Sequence, residues 1–411
     1  MHLSQRLARA APRLARSYAT ASAGHLNEVV IVAAARTPVG SFQKSLAKLS
    51  APQLGAAAIK GALEQAGMKP SEVQEVYMGN VLSAGVGQAP ARQAALLAGL
   101  GESTEATTIN KVCASGLKAV ILAHQSLTLG HRDVMVAGGM ESMSNAPFYF
   151  PRGAAFGHQT ASDAIIKDGL WDVYNQIHMG TCAEETAVEY GISREEQDAH
   201  AIESYKRAAA AWAKGMFKNE VVPVTVKGRR GDTIVAEDEE YKNIKFDKVP
   251  TLKSAFLKGG SVTAANASTL NDGASALVLT TRAKAAALGL RPLARILSFG
   301  DAATSPKKFT IAPSLAIPIA LERAGLSIAD ISLFEINEAF SVVVRANEKI
   351  MSLDAAKVNI AGGGVALGHA IGSSGARILV SLIHLLPPGQ LGVAGVCNGG
   401  GAASALVVER L

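Results

Sequence analysis

Residues 62–80 read ALEQAGMKPSEVQEVYMGN, and residues 320–338 read ALERAGLSIADISLFEINE. Five of the first six residues agree, and the two stretches lie 258 positions apart. The same order returns further along: SGLKAVILAHQSLTLG begins at Ser115, and SGARILVSLIHLLPPG begins at Ser374, 259 positions later. A third pair, VMVAGG and AGVCNGG, keeps that offset. Three matched pairs in one order indicate a tandem duplication, so the plan of one half predicts the plan of the other.

Each copy reads as strand, helix, strand, helix, strand. The first copy opens with the apolar run VVIVAAA from Val29, which is typical of a buried strand. Its first helix is predicted over 51–66, because Gly67 supplies a C-cap and Pro70 follows it. Strands that alternate with helices predict an α/β fold in which helices cover both faces of the sheet.

Residues 147–266 have no counterpart in the second copy, and we expect them to form an inserted loop domain over the sheets. Within this segment the S-x-x-E spacing from Ser193 to Glu196 is a capping box, which predicts the start of a helix. The predicted domains are therefore 25–288, which includes the insertion, and 289–411.

Residues 1–24 form a separate leader with four arginines and no acidic residue. The arginines share one helical face, and the leucines gather on a neighbouring one. An arginine-rich, acid-free amphipathic start is typical of a mitochondrial transit peptide, so we expect the protein in the mitochondrial matrix. The leader carries four of the six net positive charges, so the remaining charge does not support nucleic-acid binding. No apolar run reaches the roughly 18 residues of a membrane helix, so no membrane span is expected.

The chain has three cysteines, Cys113, Cys182 and Cys397, and none of them forms a C-x-x-C pair. Zinc ribbons and redox motifs are therefore unsupported, and free thiols are expected in a matrix-type compartment. The glycine stretch GVGQAP fails the dinucleotide fingerprint at its third glycine, and no phosphate-binding P-loop is present. These patterns argue against a nucleotide-dependent oxidoreductase.

Four polar residues fall at predicted corners between strands and helices. Cys113 and His369 lie just before equivalent helices of the two copies, and Asn337 and Cys397 lie at strand ends. Ligands of open α/β sheets bind at the carboxyl ends of strands, so these residues should share one edge. A helix N-terminus lowers the pKa of a thiol, and a nearby imidazole can take its proton. The pattern predicts a nucleophilic cysteine in an active site.

The motifs VCASGLKA, NEAF, GHAIGSSGAR and CNGGGAAS, in that order, resemble those of the thiolase family over nearly the whole chain after the leader. The resemblance implies a duplicated five-layered α-β-α-β-α fold with an inserted loop domain, no prosthetic group, and a homodimer or homotetramer. It also implies that Cys113 is the acyl-accepting nucleophile, His369 its base, and Cys397 the acid and base at the substrate α-carbon. Asn337 would hold an oxyanion-hole water, and the N–H groups of Cys113 and Gly399 would form a second hole. The family usually has proline after the histidine, where this chain has Ala370.

The segment HMGTCAEETA resembles the acetoacetyl-CoA branch of the family, in which a methionine crowds the acyl pocket. The resemblance implies acetyl-CoA, acetoacetyl-CoA and coenzyme A as substrates, with the pocket bordered by His178, Met179 and Phe340. The coenzyme A contacts that it implies are Tyr205, Asn243, Lys245, Lys248 and Ser268. The segment VTAANAS resembles a potassium loop, and the implied K⁺ ligands are Tyr205, Ala264, Ala265, Ala267 and Val365.

Three other functions remain open at this point. A decarboxylating ketoacyl synthase would carry a second histidine where this chain has Cys397. A longer-chain 3-ketoacyl-CoA thiolase would share the motifs and differ in the acyl chain that it accepts. A non-catalytic lipid-binding protein on the same scaffold would not need Cys113 and Cys397 together.

Overall fold

The structure, a computed structural model, describes residues 26–153 and 156–411. The predicted transit peptide, residues 1–24, lies outside the described residues. The strands are β1 (Val29–Arg36), β2 (Gly40–Ser41), β3 (Glu75–Gly79), β4 (Glu105–Ile109), β5 (Val134–Ser142), β6 (Phe148–Tyr149), β7 (Ser162–Asp163), β8 (Trp171–Asp172), β9 (Ile177–His178), β10 (Val224–Val226), β11 (Thr233–Val235), β12 (Asn271–Thr281), β13 (Ala294–Ala303), β14 (Leu333–Ile336), β15 (Leu391–Asn398) and β16 (Ala402–Arg410). The α-helices are α1 (Ala51–Ala66), α2 (Pro90–Leu97), α3 (Ser115–Thr128), α4 (Met179–Tyr190), α5 (Arg194–Ala213), α6 (Arg282–Ala287), α7 (Pro313–Ala324), α8 (Ser341–Met351), α9 (Gly364–Leu367) and α10 (Ile371–Leu385).

Local signals predicted two helices well. Helix α1 spans the predicted residues and ends at Gly67, whose φ of 61° places it in the left-handed region that glycine adopts without strain. Helix α5 begins after Ser193, and its capping box is formed: the Ser193 N–H donates to Glu196 Oε2 at 2.7 Å, and the Glu196 N–H donates to Ser193 Oγ at 3.2 Å. Both predictions are confirmed, because caps depend only on residues within one turn.

The two copies form equivalent halves of the main sheet. The first half has the order β4-β3-β5-β12-β1, and the second has β14-β15-β16-β13. The halves meet where β1 pairs with β13 over Val30–Arg295 and Ile31–Ala294. In the second half, Phe334 of β14 forms a parallel bridge with Val358. The segment at Val358 therefore takes the edge position that β4 has in the first half. Each copy therefore has two strand positions more than the predicted strand–helix–strand–helix–strand plan: one between its second strand and its second helix, and one after its last predicted strand.

The sequence prediction misses three strands of the main sheet. Strand β16 was missed: it follows β15, which contains Cys397, and it pairs with both β15 and β13. Strand β4 was also missed, since its sequence EATTI is mostly exposed or half-buried and lacks an apolar pattern. Strand β12 was missed for another reason: the insertion separates it from the strands with which it pairs.

Helices cover the sheet halves in five layers. Helices α1 and α2 lie on the outer face of the first half, and α7 and α8 lie on the outer face of the second. Helices α3 and α10 pack against each other and contact strands of both halves, so they form the central layer. Their buried leucines, isoleucines and valines share one apolar cluster with side chains from strands of both halves. The predicted α-β-α-β-α arrangement is confirmed.

The segment between β5 and β12 leaves the sheet. It contains the short hairpins β6–β7, β8–β9 and β10–β11, together with α4 and α5. None of the helices within the described ranges is both long enough and apolar enough to cross a membrane.

Candidate active site

Cys113 lies in a tight turn between β4 and α3. The turn is held by Ser115, whose Oγ accepts the Lys111 N–H at 2.8 Å and donates to the Val112 carbonyl at 2.6 Å. Val112 has a φ of 48°, a left-handed conformation that is rare and strained for a β-branched residue. Such strain adjoins reactive residues in many proteins, and sequence patterns give no sign of it.

The Cys113 thiol is a weak acid in the resting site. Burial raises its pKa to about 12, and the negative charge of Glu141 adds to that effect. The N–H groups of Gly399 and of Cys113 itself hydrogen-bond the sulfur and oppose the shift. The expectation that the helix N-terminus makes a ready thiolate is therefore wrong, because desolvation of the charge outweighs the helix. A base has to remove the proton when the thiol reacts.

His369 is placed to be that base. Its side chain is buried, and its Nδ1 lies 2.6 Å from Ser374 Oγ. Because Ser374 Oγ donates to the Ala370 carbonyl at 3.0 Å, it accepts from Nδ1–H, and this network assigns the proton to Nδ1. Nε2 then carries the lone pair, and no atom of the described residues hydrogen-bonds it. Burial and the nearby Arg377 lower the pKa of His369 to about 3, so the resting imidazole is neutral.

A neighbouring segment, residues 270–271, holds the backbone of the histidine in position. The His369 N–H donates to Asn271 Oδ1 at 2.8 Å, and a parallel bridge joins Leu270 to His369. Ala370, which stands where the family usually has proline, has a φ of −67°. That is the φ of a proline ring, so the substitution leaves the backbone in the conformation that proline favours.

Cys397 and Asn337 lie deeper than Cys113. Both are fully buried. Burial raises the pKa of Cys397, and the charge of Cys113 contributes to that shift, so the two sulfurs lie close enough to interact. The side-chain amide of Asn337 has no hydrogen-bond partner at either atom among the described residues. A buried amide of this kind needs a water or a substrate oxygen to satisfy it.

One cavity of about 250 Å³ brings eight of the predicted site residues together. Cys113, His369 and Gly399 line it, as do the predicted pocket residues His178, Met179 and Phe340, the predicted coenzyme A contact Ser268 and the predicted K⁺ ligand Ala267. Cys397 and Asn337 are not on its surface. Sequence reasoning missed several other lining residues, namely Met143, Gly169, Leu170, Phe256, Leu270, Phe309 and Ile371.

Aromatic side chains form one wall of this cavity. The Phe256 ring stacks on His178 with 4.8 Å between centroids and meets Phe340 edge-on at 6.1 Å. Gly180 makes room for the ring, because a Cβ there would lie 2.3 Å from it. Phe256 lies in a part of the insertion without regular secondary structure, so no hydrophobic periodicity in the sequence predicts that it lines the cavity.

The structure does not bring the other predicted coenzyme A residues to the cavity. Lys245 and Lys248 are exposed on the insertion, and Lys248 lies 3.6 Å from Asp247. Asn243 is also exposed and donates to Ser41 Oγ at 3.2 Å. Tyr205 is buried in a separate apolar cluster with Val365.

The predicted potassium loop is an ordered turn next to the NEAF segment. The Asn266 side chain accepts the Thr263 N–H at 2.8 Å, and the Asn266 carbonyl accepts the Ser341 N–H at 2.7 Å. Ala265 and Ala267 are buried, whereas Ala264 is exposed. Burial raises the pKa of Tyr205, and the charges of Glu240 and Glu338 raise it further, so this region carries a negative field.

Comparisons with known proteins identify the family of this chain. Residues 29–283 match the family described as thiolase, N-terminal domain, and residues 290–410 match thiolase, C-terminal domain. The chain therefore belongs to the thiolase family. It is 59% identical over 402 residues to the mitochondrial acetyl-CoA acetyltransferase of Mus musculus, which covers 97% of this chain and 94% of that protein.

Two solved structures share the fold. The Acat5 thiolase from Ascaris suum, in complex with coenzyme A, superposes with a TM-score of 0.90 at 48% identity, covering 93% of this chain and all of that one. The acetyl-CoA acetyltransferase of Bacillus anthracis superposes with a TM-score of 0.92 at 40% identity, covering 94% of this chain and all of that one.

Proposed function

We propose that this protein is an acetyl-CoA C-acetyltransferase, which reversibly joins two acetyl-CoA molecules into acetoacetyl-CoA and coenzyme A through an acetyl-cysteine. One observation carries the proposal: Cys113 from one copy and His369 from the other line a single cavity, and the Gly399 N–H reaches the Cys113 sulfur. The names of the curated relatives and the bound coenzyme A of the Ascaris enzyme support the substrate class.

In the thiolysis direction, His369 Nε2 takes the Cys113 proton and the thiolate attacks the 3-keto carbon of acetoacetyl-CoA. The N–H groups of Cys113 and Gly399 are the donors proposed to stabilise the oxyanion. The bond between C2 and C3 breaks, and the enolate of acetyl-CoA takes a proton from the Cys397 thiol. A raised pKa suits Cys397 to this role, because the group holds its proton until the enolate forms.

The second half of the cycle restores each group. The thiol of coenzyme A gives its proton to the Cys397 thiolate, and its sulfur attacks the acetyl group on Cys113. Acetyl-CoA leaves, and the Cys113 thiolate recovers its proton from the His369 imidazolium. Asn337 is the group proposed to hold a water at the thioester oxygen, since its buried amide has free donor and acceptor capacity. Condensation is the reverse sequence.

The roles of the two cysteines are separable. Cys113→Ala should abolish both condensation and the exchange of labelled coenzyme A into acetyl-CoA. Cys397→Ala should depress condensation by about 100- to 10,000-fold and keep much more of the exchange. Equal loss of both activities in a folded Cys397→Ala protein would show that this division is wrong.

A short acyl chain is the preferred substrate in this proposal. Met179, Phe340 and the stacked His178 and Phe256 crowd the cavity that Cys113 faces. A purified protein that cleaves four-carbon 3-ketoacyl-CoA much faster than the eight-carbon one supports the assignment. Faster cleavage of the eight-carbon substrate would identify a longer-chain thiolase, and no cleavage of either would favour a lipid-binding protein.

Potassium is proposed as an activator of this enzyme. The carbonyl oxygens of Ala264, Ala265, Ala267 and Val365 and the neutral Tyr205 hydroxyl suit a monovalent cation, and the negative field of Glu240 and Glu338 favours one. The residues fit the ion, which would order the loop beside Ser268. Replacing K⁺ by a bulky organic cation at equal ionic strength should raise the coenzyme A requirement, and unchanged kinetics would remove K⁺ from the proposal.

The remaining assignments rest on the resemblance of the sequence motifs to the thiolase family. Lys245, Lys248, Asn243, Tyr205 and Ser268 are proposed coenzyme A contacts, with the lysines near the phosphates. A homodimer or homotetramer and the domain limits 25–288 and 289–411 are kept as proposals.

The protein is proposed to act in the mitochondrial matrix. Residues 1–24 fused to a reporter protein should direct the reporter there, and a reporter that stays in the cytosol would contradict the assignment of these residues as a transit peptide.

A further inference from the structure

Glu141 is a fully buried carboxylate at the end of β5 that the proposed chemistry does not use. Its Oε1 accepts the Asn80 side-chain N–H at 2.7 Å and the Leu82 N–H at 3.2 Å. Its Oε2 accepts the Val81 N–H and the Gly372 N–H, each at 3.0 Å. Three of these donors follow β3 of the first copy, and the fourth is in the first turn of α10 in the second copy. The carboxylate therefore joins the two halves of the protein.

The same turn of α10 fits into a backbone gap of the first copy. A Cβ on Gly139 would lie 2.0 Å from the Gly372 carbonyl oxygen, and one on Gly79 would lie 2.7 Å from it. A Cβ on Gly372 would lie 2.7 Å from Glu141 Oε2. The two copies therefore touch here backbone to backbone, with no room for a side chain at Gly79, Gly139 or Gly372.

Cys113 and His369 belong to opposite sides of this junction. Cys113 lies two residues before α3, which begins at Ser115, and His369 lies two residues before α10, which begins at Ile371. Among the described residues, no hydrogen bond joins the two side chains directly. Their relative position depends on how the first turn of α10 is held against the first copy.

We propose that Glu141 is a positioning residue that clamps the first turn of α10 to the first copy and thereby sets His369 against Cys113. The proposal rests on the function proposed above. The clamp also places a negative charge near the nucleophile, because Glu141 acts electrostatically on Cys113.

The charge state of Glu141 is compatible with this role. Burial raises its pKa to about 7, and Asp272 on β12 adds to the shift, whereas the N–H groups of Val81, Leu82 and Gly372 oppose it. Asp272 and Cys113 are the titratable groups whose charges act on it. All four hydrogen-bond partners of the carboxyl group among the described residues are N–H donors, which is the arrangement that suits an ionised carboxylate.

Two substitutions separate the reach of the side chain from its charge. Glu141→Asp keeps the charge but shortens the side chain by one methylene, so it cannot reach donors on both copies. Glu141→Gln keeps the length, removes the charge and turns an NH₂ group towards N–H donors. Asp238→Asn is the matched control: Asp238 is a buried carboxylate that accepts from Arg36, Val39 and Trp212, and none of these residues lines the active-site cavity.

Three measurements on the full-length protein test the proposal: kcat and KM for acetoacetyl-CoA thiolysis, the pH profile of Cys113 alkylation by iodoacetamide, and deuterium exchange of the peptide that carries Gly372. Both Glu141 variants should lower kcat by about 10- to 100-fold with KM changed by less than about threefold. Both should speed exchange at Gly372. Only Glu141→Gln should shift the alkylation profile to lower pH, because a negative charge near the thiol is lost.

Asp238→Asn should lower the melting temperature and leave the other three readouts unchanged. Wild-type kcat in folded Glu141→Asp and Glu141→Gln proteins would overturn the proposal, as would an equal kcat loss in Asp238→Asn. If neither Glu141 variant folds, Asn80→Ala, which removes one donor, should still lower kcat without raising KM, and an unchanged kcat would overturn the clamp. A wild-type protein without thiolase activity would refute the proposed function alone, since exchange and alkylation need no substrate.

Discussion

Ser374 offers a sharp test of how the catalytic histidine is held. Its Oγ lies 2.6 Å from His369 Nδ1 and donates to the Ala370 carbonyl at 3.0 Å. Ser374→Ala removes the acceptor of Nδ1–H while the ring remains buried. The imidazole then either keeps a buried N–H without a partner or moves its proton to Nε2, where it blocks the attack on the Cys113 proton.

The cost follows from the burial of the ring. A buried donor without a partner costs about 1–3 kcal/mol. A tenfold change in rate corresponds to about 1.4 kcal/mol, so kcat/KM should fall by about 5- to 150-fold. Because Ser374 does not line the cavity, KM for acetoacetyl-CoA should change by less than the turnover does.

Steady-state thiolysis of acetoacetyl-CoA measures the effect, and Ser373→Ala is the control. Ser373 is the adjacent residue, is equally buried, and forms its hydrogen bond at 3.0 Å with Ser275 Oγ, away from the histidine. Its variant should lose stability and keep turnover. Full turnover in Ser374→Ala, or an equal loss in Ser373→Ala, would refute the assigned tautomer.

Three other substitutions test burial and backbone. Burial lowers the pKa of His124 to about 4 from an unfolded value near 6.5, so stability is lost as pH falls below 6.5. When the pH is lowered from 7 to 5, the free energy of unfolding should fall by about 2 kcal/mol less in His124→Leu than in the wild type. Parallel plots of unfolding free energy against pH for the two proteins would contradict this. Ala370→Pro should raise stability by about 0.4–1 kcal/mol with activity retained, because the φ already suits proline, and a lower melting temperature would contradict it. Gly139→Ala should sharply lower the yield of soluble protein, because the added Cβ would lie 2.0 Å from the Gly372 carbonyl oxygen. Gly153→Ala is the control and should express normally, since the Cβ would have no atom within 4 Å. A normal yield of soluble Gly139→Ala would show that the backbone at this junction can move apart.

Several features of this protein follow from its sequence alone, because they depend on neighbouring residues or on repetition. The cap at Gly67 and the capping box at Ser193 decide the limits of α1 and α5 within one turn. The duplication predicts equivalent corners, and these carry Cys113 and His369.

Only the tertiary structure decided the rest, since burial and contacts between distant segments are not local properties. The thiol pKa of Cys113 rises because the fold removes it from water, although the helix that follows would lower it. Phe256 becomes a wall of the cavity because the insertion folds back onto α4, where Gly180 leaves room for its ring. The position of His369 relative to Cys113 depends on a junction between residues 231 positions apart, Glu141 and Gly372. Neither residue carries a sequence signal for that contact, because the clamp exists only once two separately encoded halves have packed together.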